Sequence, residues 1–188
     1  PGIGSGGSYS GSIEVSGGWL YFTARPTGEG VELWRTDGTP GGTSYVAAVS
    51  ESSFGAPTWF TDLDGLLIFT ARDPELLNEL WISDGTEAGT HVLKDIWVGG
   101  QSNPAELVRV GDLVYFRATD PDLGDELWRT DGTEGGTRMV LDIASGQFYI
   151  SSNPEPIGAV GDLFVFAAQT PAFGQEPFVT DGTPEGTT

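Results

Sequence analysis

The chain has 188 residues, enough for one domain with its own core, and 27 acidic against 8 basic residues give it a net charge of −19. So negative a field repels a phosphate backbone, which argues against nucleic-acid binding and favours cations as counter-partners. The absence of cysteine excludes disulfides and thiolate metal sites, and no apolar run reaches the roughly 18 residues of a membrane-spanning helix.

Four copies of one repeat follow each other along the chain. Each has an apolar run, and ten residues after its Phe comes the Glu of a Glu-Leu-Trp-x-x-Asp-Gly-Thr motif, followed by a second Gly-Thr. This Glu lies at positions 32, 79, 126 and 176, so the spacings are 47, 47 and 50, and the copies span about 8–49, 55–96, 102–143 and 152–188. Periods of about 40 to 50 residues with several strands per unit are typical of propeller blades.

Each copy predicts four short strands, placed in the third copy at residues 104–110, 113–118, 126–130 and 137–143. These runs are rich in Val, Leu, Tyr, Phe and Thr, and Gly111-Asp112 and Asp131-Gly132 mark tight turns between them. No segment has helical periodicity. We therefore predict an all-β fold, a single β-propeller domain over residues 1–188 with four four-stranded blades of about 47 residues each.

The fourth copy stops where its outer strand is expected to begin, so the last blade lacks that strand. In one arrangement residues 1–10 supply the missing strand, and in the other the repeats are part of a larger ring or array. The chain begins with Pro1-Gly2-Ile3 and has no signal-peptide pattern, which we interpret as a processed product or a fragment.

Three copies keep the fixed residues of the motif, and the fourth departs from it at Pro177 and Phe178. In this the chain resembles the bacterial ELWxxDGT repeat family, and the resemblance extends from about Ser8 onward. It implies a propeller-type repeat protein that is secreted or displayed on the cell surface of bacteria. It implies no reaction and carries over no catalytic residue.

Residues that recur in every copy are expected to serve the fold, because a single site rarely needs four copies. We expect the motif Trp, with Phe in the fourth copy, to fill the core between blades. The Glu two residues earlier lies on the same face and needs buried donors, and the Asp forms a turn. These residues are Trp34, Trp81, Trp128 and Phe178; Glu32, Glu79, Glu126 and Glu176; and Asp37, Asp84, Asp131 and Asp181.

The loops between the second and third strands and between blades differ among the copies, and function is commonly carried by such loops on a fixed scaffold. Trp59 stands where another copy has Glu106, and an insertion places Phe148 and Tyr149 in a loop between blades. With Trp97, these aromatics are candidate binding residues for a sugar face or a protein partner. The alternative is that they pack locally under a loop.

One loop of the third copy has a metal-ligand pattern. Asp120, Asp122 and Asp125 place hard carboxylate oxygens close together in sequence, as calcium loops do, although the full twelve-residue pattern is missing. Calcium is therefore the candidate cofactor, and a solvated acidic loop is the alternative. His91 is the single histidine, so the sequence indicates neither a zinc site nor a Ser-His-Asp triad.

The leading hypothesis is a non-catalytic module outside the bacterial cell, a structural or adhesive scaffold that contacts other proteins, cell-surface components or copies of itself. Exposed strand edges at the ends of the repeat array are the reason for including self-association. The alternative is a lectin-like propeller that binds glycans through its loop aromatics, with or without calcium. An enzyme built on paired carboxylates is the weakest of the three hypotheses.

Overall fold

The computed structural model describes residues 12–25, 30–50, 56–144 and 151–188. Over these residues the protein consists of strands and turns, with fifteen strands in four antiparallel sheets and no helix. The all-β class predicted from the repeats is confirmed. Within the same residues, no helix has the length and apolar composition needed to cross a membrane.

Each sheet contains one repeat, and its strands pair in chain order. Sheet 1 contains β1 to β4, at Ile13–Ser16, Trp19–Ala24, Val31–Thr36 and Ser44–Ser50. Sheet 2 contains β5 to β8, at Thr58–Leu63, Leu66–Asp73, Leu77–Ser83 and His91–Lys94. Sheet 3 contains β9 to β12, at Ala105–Val110, Leu113–Asp120, Gly124–Thr130 and Arg138–Leu141. Sheet 4 contains β13 to β15, at Glu155–Val160, Leu163–Thr170 and Gly174–Thr180.

The central hairpins of sheets 2, 3 and 4 are longer than the sequence predicts. In sheet 3 the pairing of β10 with β11 continues to Asp120 opposite Gly124, so the connecting turn shortens to residues 121–123. Gly124 has a φ of 86°, which a glycine adopts without steric cost and which lets the chain reverse this early. The variable loop predicted between these strands is therefore a tight turn.

The fourth sheet has three strands, as the truncated last copy predicts. Beyond β15, however, Thr188 exchanges two backbone hydrogen bonds with Val179, at 2.9 and 3.0 Å. The equivalent pair in sheet 3 is Arg129 with Arg138, where β12 begins. Thr188 thus occupies the position at which the outer strand begins in sheet 3.

Successive residues of a strand point to opposite faces of its sheet, so each sheet has two faces. We call the face that carries Tyr21 in sheet 1 and Tyr115 in sheet 3 the forward face. The face that carries Phe69 in sheet 2 and Phe166 in sheet 4 is the backward face. The register of strand pairing extends both definitions to the equivalent positions of all four sheets.

The chain divides into two compact units, and unit 1 (Pro1–Asp95) contains sheets 1 and 2. Here the forward face of sheet 1, with Tyr21 and Leu33, forms one core with Phe69 and Trp81 on the backward face of sheet 2. The Phe69 ring lies 5.4 Å from that of Phe60 and 6.1 Å from that of Trp81, between centroids. Each large side chain buried in this way contributes about 1.5 to 3 kcal/mol to folding.

Unit 2 (Ile96–Thr188) repeats this packing with sheets 3 and 4. Tyr115 on the forward face of sheet 3 stacks on Phe164 on the backward face of sheet 4, with 4.7 Å between ring centroids. Phe166 and Phe178 continue the stack across sheet 4 at 5.6 Å per step. In both units a forward face therefore packs on the backward face of the next sheet.

Candidate functional site

Glu126, the motif glutamate of sheet 3, is fully buried and its carboxylate accepts two hydrogen bonds from one residue. The Ser152 hydroxyl donates to its Oε2 at 2.6 Å, and the Ser152 amide donates to its Oε1 at 3.1 Å. Burial raises the pKa of Glu126 to about 7, and the hydrogen bonds from Ser152 oppose this with a smaller effect. The glutamate thus ties β11 to the segment that leads into sheet 4.

The equivalent glutamates have different surroundings. Glu79 in sheet 2 is also fully buried. In sheet 1, Glu32 is half-buried and accepts a hydrogen bond from the Trp34 indole at 2.8 Å. These contacts agree with the structural role that repetition predicts for the motif glutamate, because its partners belong to the repeat scaffold itself.

The motif tryptophans are likewise more buried in sheets 2 and 3 than in sheet 1. Trp81 and Trp128 retain only 8% and 7% of their exposure, and the Trp81 indole donates to the Ala71 carbonyl at 3.2 Å. Trp34 on the backward face of sheet 1 is half-buried and contacts Tyr45 edge to face, with 6.1 Å between centroids. The predicted core role therefore holds for the buried tryptophans and only in part for Trp34.

The Asp-Gly-Thr segment forms a turn held by its own side chains. Asp131 Oδ1 accepts hydrogen bonds from the Thr133 amide at 2.9 Å and from the Thr133 hydroxyl at 2.6 Å. The hydroxyl bond, followed by the amide bond, lowers the pKa of Asp131. A Cβ added at Gly136 would collide with this carboxylate, which explains the Gly of the second Gly-Thr. The same two bonds recur at Asp37, Asp84 and Asp181.

A pair of hydroxyl groups closes each turn. In sheet 3, Thr130 and Thr137 lie 2.7 Å apart between their Oγ1 atoms, and Thr137 Oγ1 also donates to the Thr133 carbonyl at 2.7 Å. The equivalent hydroxyl pairs are Thr36 with Thr43, Ser83 with Thr90, and Thr180 with Thr187. The Asp carboxylate and the Thr hydroxyl groups of the motif therefore form hydrogen bonds within the turn itself.

The turn glycine of one sheet lies against a Tyr-Arg pair of the sheet before it. Tyr21 and Arg35 are cross-strand neighbours on the forward face of sheet 1, and a Cβ at Gly85 would collide with the tips of both. Arg35 also lies over the Trp19 ring, 4.3 Å from its centroid. Unit 2 repeats the arrangement with Tyr115, Arg129 and Gly182.

Trp59, a candidate binding residue, is 46% exposed on the first strand of sheet 2. It occupies a β-bulge where the register shifts between Thr58 and Thr61, and its φ of 57° is rare for a bulky residue. The equivalent Glu106 has a φ of 60° and pairs with Arg117 at 3.6 Å. A bulge thus recurs in the first strands of sheets 2, 3 and 4, and it carries an indole in sheet 2 only.

Trp97 lies in the turn after β8 and is half-buried. Its carbonyl accepts a hydrogen bond from the Gly100 amide at 2.8 Å, and a Cβ at Gly100 would collide with the indole ring. Its neighbour Val98 is 84% exposed. One side of the Trp97 ring is therefore packed against its own turn, as in the alternative interpretation of the sequence. Phe148 and Tyr149, the other candidate aromatics, lie outside the described residues.

The three candidate calcium ligands lie around the turn between β10 and β11. Asp120 Oδ1 accepts hydrogen bonds from the amides of Asp122 and Leu123, at 2.9 and 3.2 Å. Asp125 Oδ1 accepts one from the Thr119 hydroxyl at 2.6 Å. Across the described ranges, no three His, Cys, Asp or Glu side chains are arranged to hold a metal ion. Calcium binding here stays a prediction.

A narrow cleft in unit 2 is lined by Phe116 and Phe166, beside the Glu106–Arg117 pair. It has no space for a water molecule, so it is a packing gap and not a ligand pocket. Sequence reasoning overlooked Phe173, which is 78% exposed in the turn between β14 and β15. Its exposure has no signal in the sequence, because the equivalent positions hold Leu76 and Leu123, which are half-buried.

Comparison with known proteins gives similarity at the level of the fold. No protein-family model matches the chain, and no curated protein matches it in sequence. A crystal structure of a puromycin hydrolase mutant complexed with PGG aligns at 15% identity with a TM-score of 0.58, over 96% of this chain and 28% of that one. A second puromycin hydrolase structure aligns at 18% identity with a TM-score of 0.50, over 87% and 27%.

The crystal structure of the computationally designed Ika8 protein aligns at 16% identity with a TM-score of 0.48, over 92% of this chain and 46% of that one. The chain therefore spans less than a third of the puromycin hydrolase structures that it matches. What this chain shares with puromycin hydrolase is an all-β, propeller-like fold.

Proposed function

We propose that the chain is a non-catalytic repeat module, a structural or adhesive scaffold that acts outside the bacterial cell through contacts with other proteins or surface components. The observation that carries the proposal is that the residues common to the repeats are used within the repeats. Asp131 holds its own turn, Glu126 holds the entry to sheet 4, and Trp128 is buried. The residues that differ between sheets are therefore the ones expected to contact a partner.

We further propose that the four sheets are blades of a propeller-type array, the last one lacking most of its outer strand in this chain. Two features support this proposal. The period of 47 residues corresponds to one sheet, and forward faces pack on backward faces in both units. The resemblance to the ELWxxDGT repeat family supports the extracellular location, since that family is secreted or surface-displayed.

Adhesion of particles coated with the chain tests the scaffold directly. Coated beads are mixed with bacterial cells and with each other, and beads carrying an unrelated acidic protein control for charge. The proposal expects adhesion above this control in at least one of the two mixtures. Absence of adhesion in both mixtures would contradict it, and so would hydrolysis of puromycin by the chain, the substrate named for the similar enzyme.

A lectin-like module is the second candidate, and exposure of Trp59 on the β-bulge of β5 favours it. Aromatic faces of this kind suit the apolar face of a sugar ring. A glycan array with Trp59→Ala tests this candidate, and Phe173→Ala is the matched control because it removes an exposed aromatic elsewhere. Binding lost with Trp59→Ala and kept with Phe173→Ala supports a lectin; a blank array rejects it for those glycans.

Running the same array in calcium and in chelator tests the predicted metal loop. Binding that is lost in chelator and in the triple change of Asp120, Asp122 and Asp125 to Asn would assign calcium to that loop. Binding that is equal in both buffers would remove calcium from the proposal.

A further inference from the structure

Two arginines of sheet 3 lie side by side. Arg129 on β11 is paired directly with Arg138 on β12, which is exposed, although like charges opposite each other in an antiparallel pair are destabilising. The residue at the position of Arg138 is Ser44 in sheet 1 and His91 in sheet 2, so the fold does not require an arginine there. Two of the eight basic residues in this acidic chain thus form a pair that costs stability, which is a common property of functional sites.

Unit 1 shows how an arginine at the position of Arg129 is held without a second arginine. A Cβ at Gly85 would collide with both the Arg35 guanidinium and the Tyr21 hydroxyl, so the two side-chain tips meet at this glycine. Burial raises the pKa of Tyr21, and a hydrogen bond from Arg35 opposes this rise. The Arg35 guanidinium also lies over the Trp19 ring, 4.3 Å from its centroid. Contacts with a phenol and an indole therefore hold Arg35.

In unit 2 the guanidinium of Arg129 lacks both contacts. A Cβ at Gly182 would lie 3.0 Å from Arg129 Cδ, its closest arginine atom, so the guanidinium lies farther from this glycine than that of Arg35 lies from its own. Leu113 replaces the tryptophan. The Tyr115 hydroxyl is 2.8 Å from the same Cβ position, and it is buried without a hydrogen-bond partner among the described residues. A buried donor without an acceptor indicates a bound water or ion.

The carboxylates near Arg129 are already engaged in their own turns. The pKa values of Asp131 and Asp181 are lowered first by hydrogen bonds from the hydroxyl groups of Thr133 and Thr183, and the charge of Arg129 makes the smallest contribution. Those hydroxyl groups each donate to Oδ1 at 2.6 Å. The acceptor that suits the two arginines is therefore an anion from outside the chain.

We propose that Arg129 and Arg138 bind one oxyanion group, a carboxylate or a sulfate, with the Tyr115 hydroxyl as a further donor, directly or through a water. Guanidinium groups present pairs of N–H donors that match the oxygen atoms of such a group. The net charge of −19 repels polyanions, so the ligand is a small molecule or an otherwise neutral glycan with one acidic group. This ligand class goes beyond the proposed scaffold function and does not depend on it.

Two-dimensional ¹⁵N NMR of the full chain reports on the arginines directly, because it detects their Nε–Hε groups. The protein is titrated with sodium sulfate and, separately, with sodium glucuronate at an ionic strength held constant with NaCl, and glucose is the neutral control. The Arg129 signal is expected to shift and to saturate. Arg35 is the matched control, since it has the same tyrosine neighbour but a serine opposite it.

Comparison of the two probes distinguishes the source of the group. Tighter binding of glucuronate than of sulfate would assign the site to an acidic sugar, and tighter binding of sulfate would assign it to a free inorganic anion. Both results support an oxyanion site.

Three variants test the residues of the site. Arg138→Ser introduces the residue of sheet 1 at an exposed position and is expected to weaken binding at least about tenfold, because one charged donor group is lost. Tyr115→Phe removes only the hydroxyl and keeps the ring that stacks on Phe164, and it is expected to weaken binding about fivefold. Arg72→Ser removes the same charge from sheet 2 and is expected to bind like wild type. The spectrum of each variant confirms that it is folded.

Four results would overturn the inference in whole or in part. The Arg129 signal moves no further than the Arg35 signal in both titrations; Arg138→Ser binds as tightly as wild type; or Arg72→Ser weakens binding as much as Arg138→Ser, which would indicate a general effect of charge. Unchanged affinity in Tyr115→Phe would remove the hydroxyl from the site. The adhesion of coated beads is a separate measurement, so the scaffold proposal can survive the loss of this site.

Discussion

Replacing Glu126 with Gln removes a titrating group from the interior of unit 2 and keeps the shape of its neutral form. Burial raises the pKa of Glu126 from its ordinary value of 4.5 to about 7. The folded protein therefore holds this proton more tightly than the unfolded chain does. The resulting stabilisation is complete below pH 4.5 and is lost as pH rises through about 7.

The size of this loss follows from the two pKa values. The gap between 4.5 and about 7 corresponds to about 3 kcal/mol of unfolding free energy, since each pKa unit is worth about 1.4 kcal/mol. Glu126→Gln does not titrate, so its stability relative to wild type is expected to rise by about 3 kcal/mol between acid and mildly alkaline pH. Two hydrogen bonds from Ser152 already reduce the burial effect, so Ser152→Ala is expected to move the loss to higher pH.

Urea unfolding at a series of pH values, followed by tryptophan fluorescence, measures the difference. The other carboxyl groups titrate in both proteins, so the difference between wild type and variant isolates Glu126. Glu134→Gln, which removes the same charge from an exposed position of the next turn, controls for the loss of charge alone. A difference between wild type and Glu126→Gln that changes by less than about 0.5 kcal/mol over this range would refute the reasoning.

Three further predictions concern side chains whose roles differ between repeats. Trp81→Ala is expected to lower the free energy of unfolding by about 3 to 5 kcal/mol. Trp34→Ala is expected to lower it by clearly less, because Trp34 is only half-buried, and equal losses in urea unfolding would contradict this. Asp131→Ala is expected to cost about 1 kcal/mol, since the Thr133 amide and hydroxyl lose their acceptor, and an unchanged urea midpoint would exclude that role. Trp59→Gly is expected to raise the unfolding free energy by up to about 1 kcal/mol, because a φ of 57° suits glycine, and a lower melting temperature would show that the indole contributes more by packing.

The sequence alone was sufficient for the features that depend on local chemistry. The Asp131 turn follows from residues within seven positions of each other, and the strands of the third repeat lie within a few residues of the predicted ranges. Trp81 in the core follows from repetition, since a large apolar residue at a fixed place in a strand needs a buried site. The all-β class required only the period and the pattern of turns.

What the sequence did not reveal depends on contacts between distant residues. Ser152 lies 26 residues from Glu126, and a serine in a variable segment gives no sign that it will serve a carboxylate. The positive φ of Trp59 arises from a bulge that is visible only in the pairing of β5 with β6. The burial of Tyr115 depends on Phe164, which belongs to the next sheet and stacks on its ring.

The closure of every Asp-Gly-Thr turn by groups only seven residues apart has a kinetic consequence. Loops of about ten residues close within about 10 to 100 ns, and hairpins form within microseconds. Each sheet is a meander of consecutive strands, so it needs no strand from elsewhere in the chain. A ribosome takes a few seconds to release a repeat of this length. Each sheet can therefore be complete before the next one emerges, and the apolar forward face of sheet 1 is exposed to solvent only until sheet 2 of the same unit has formed.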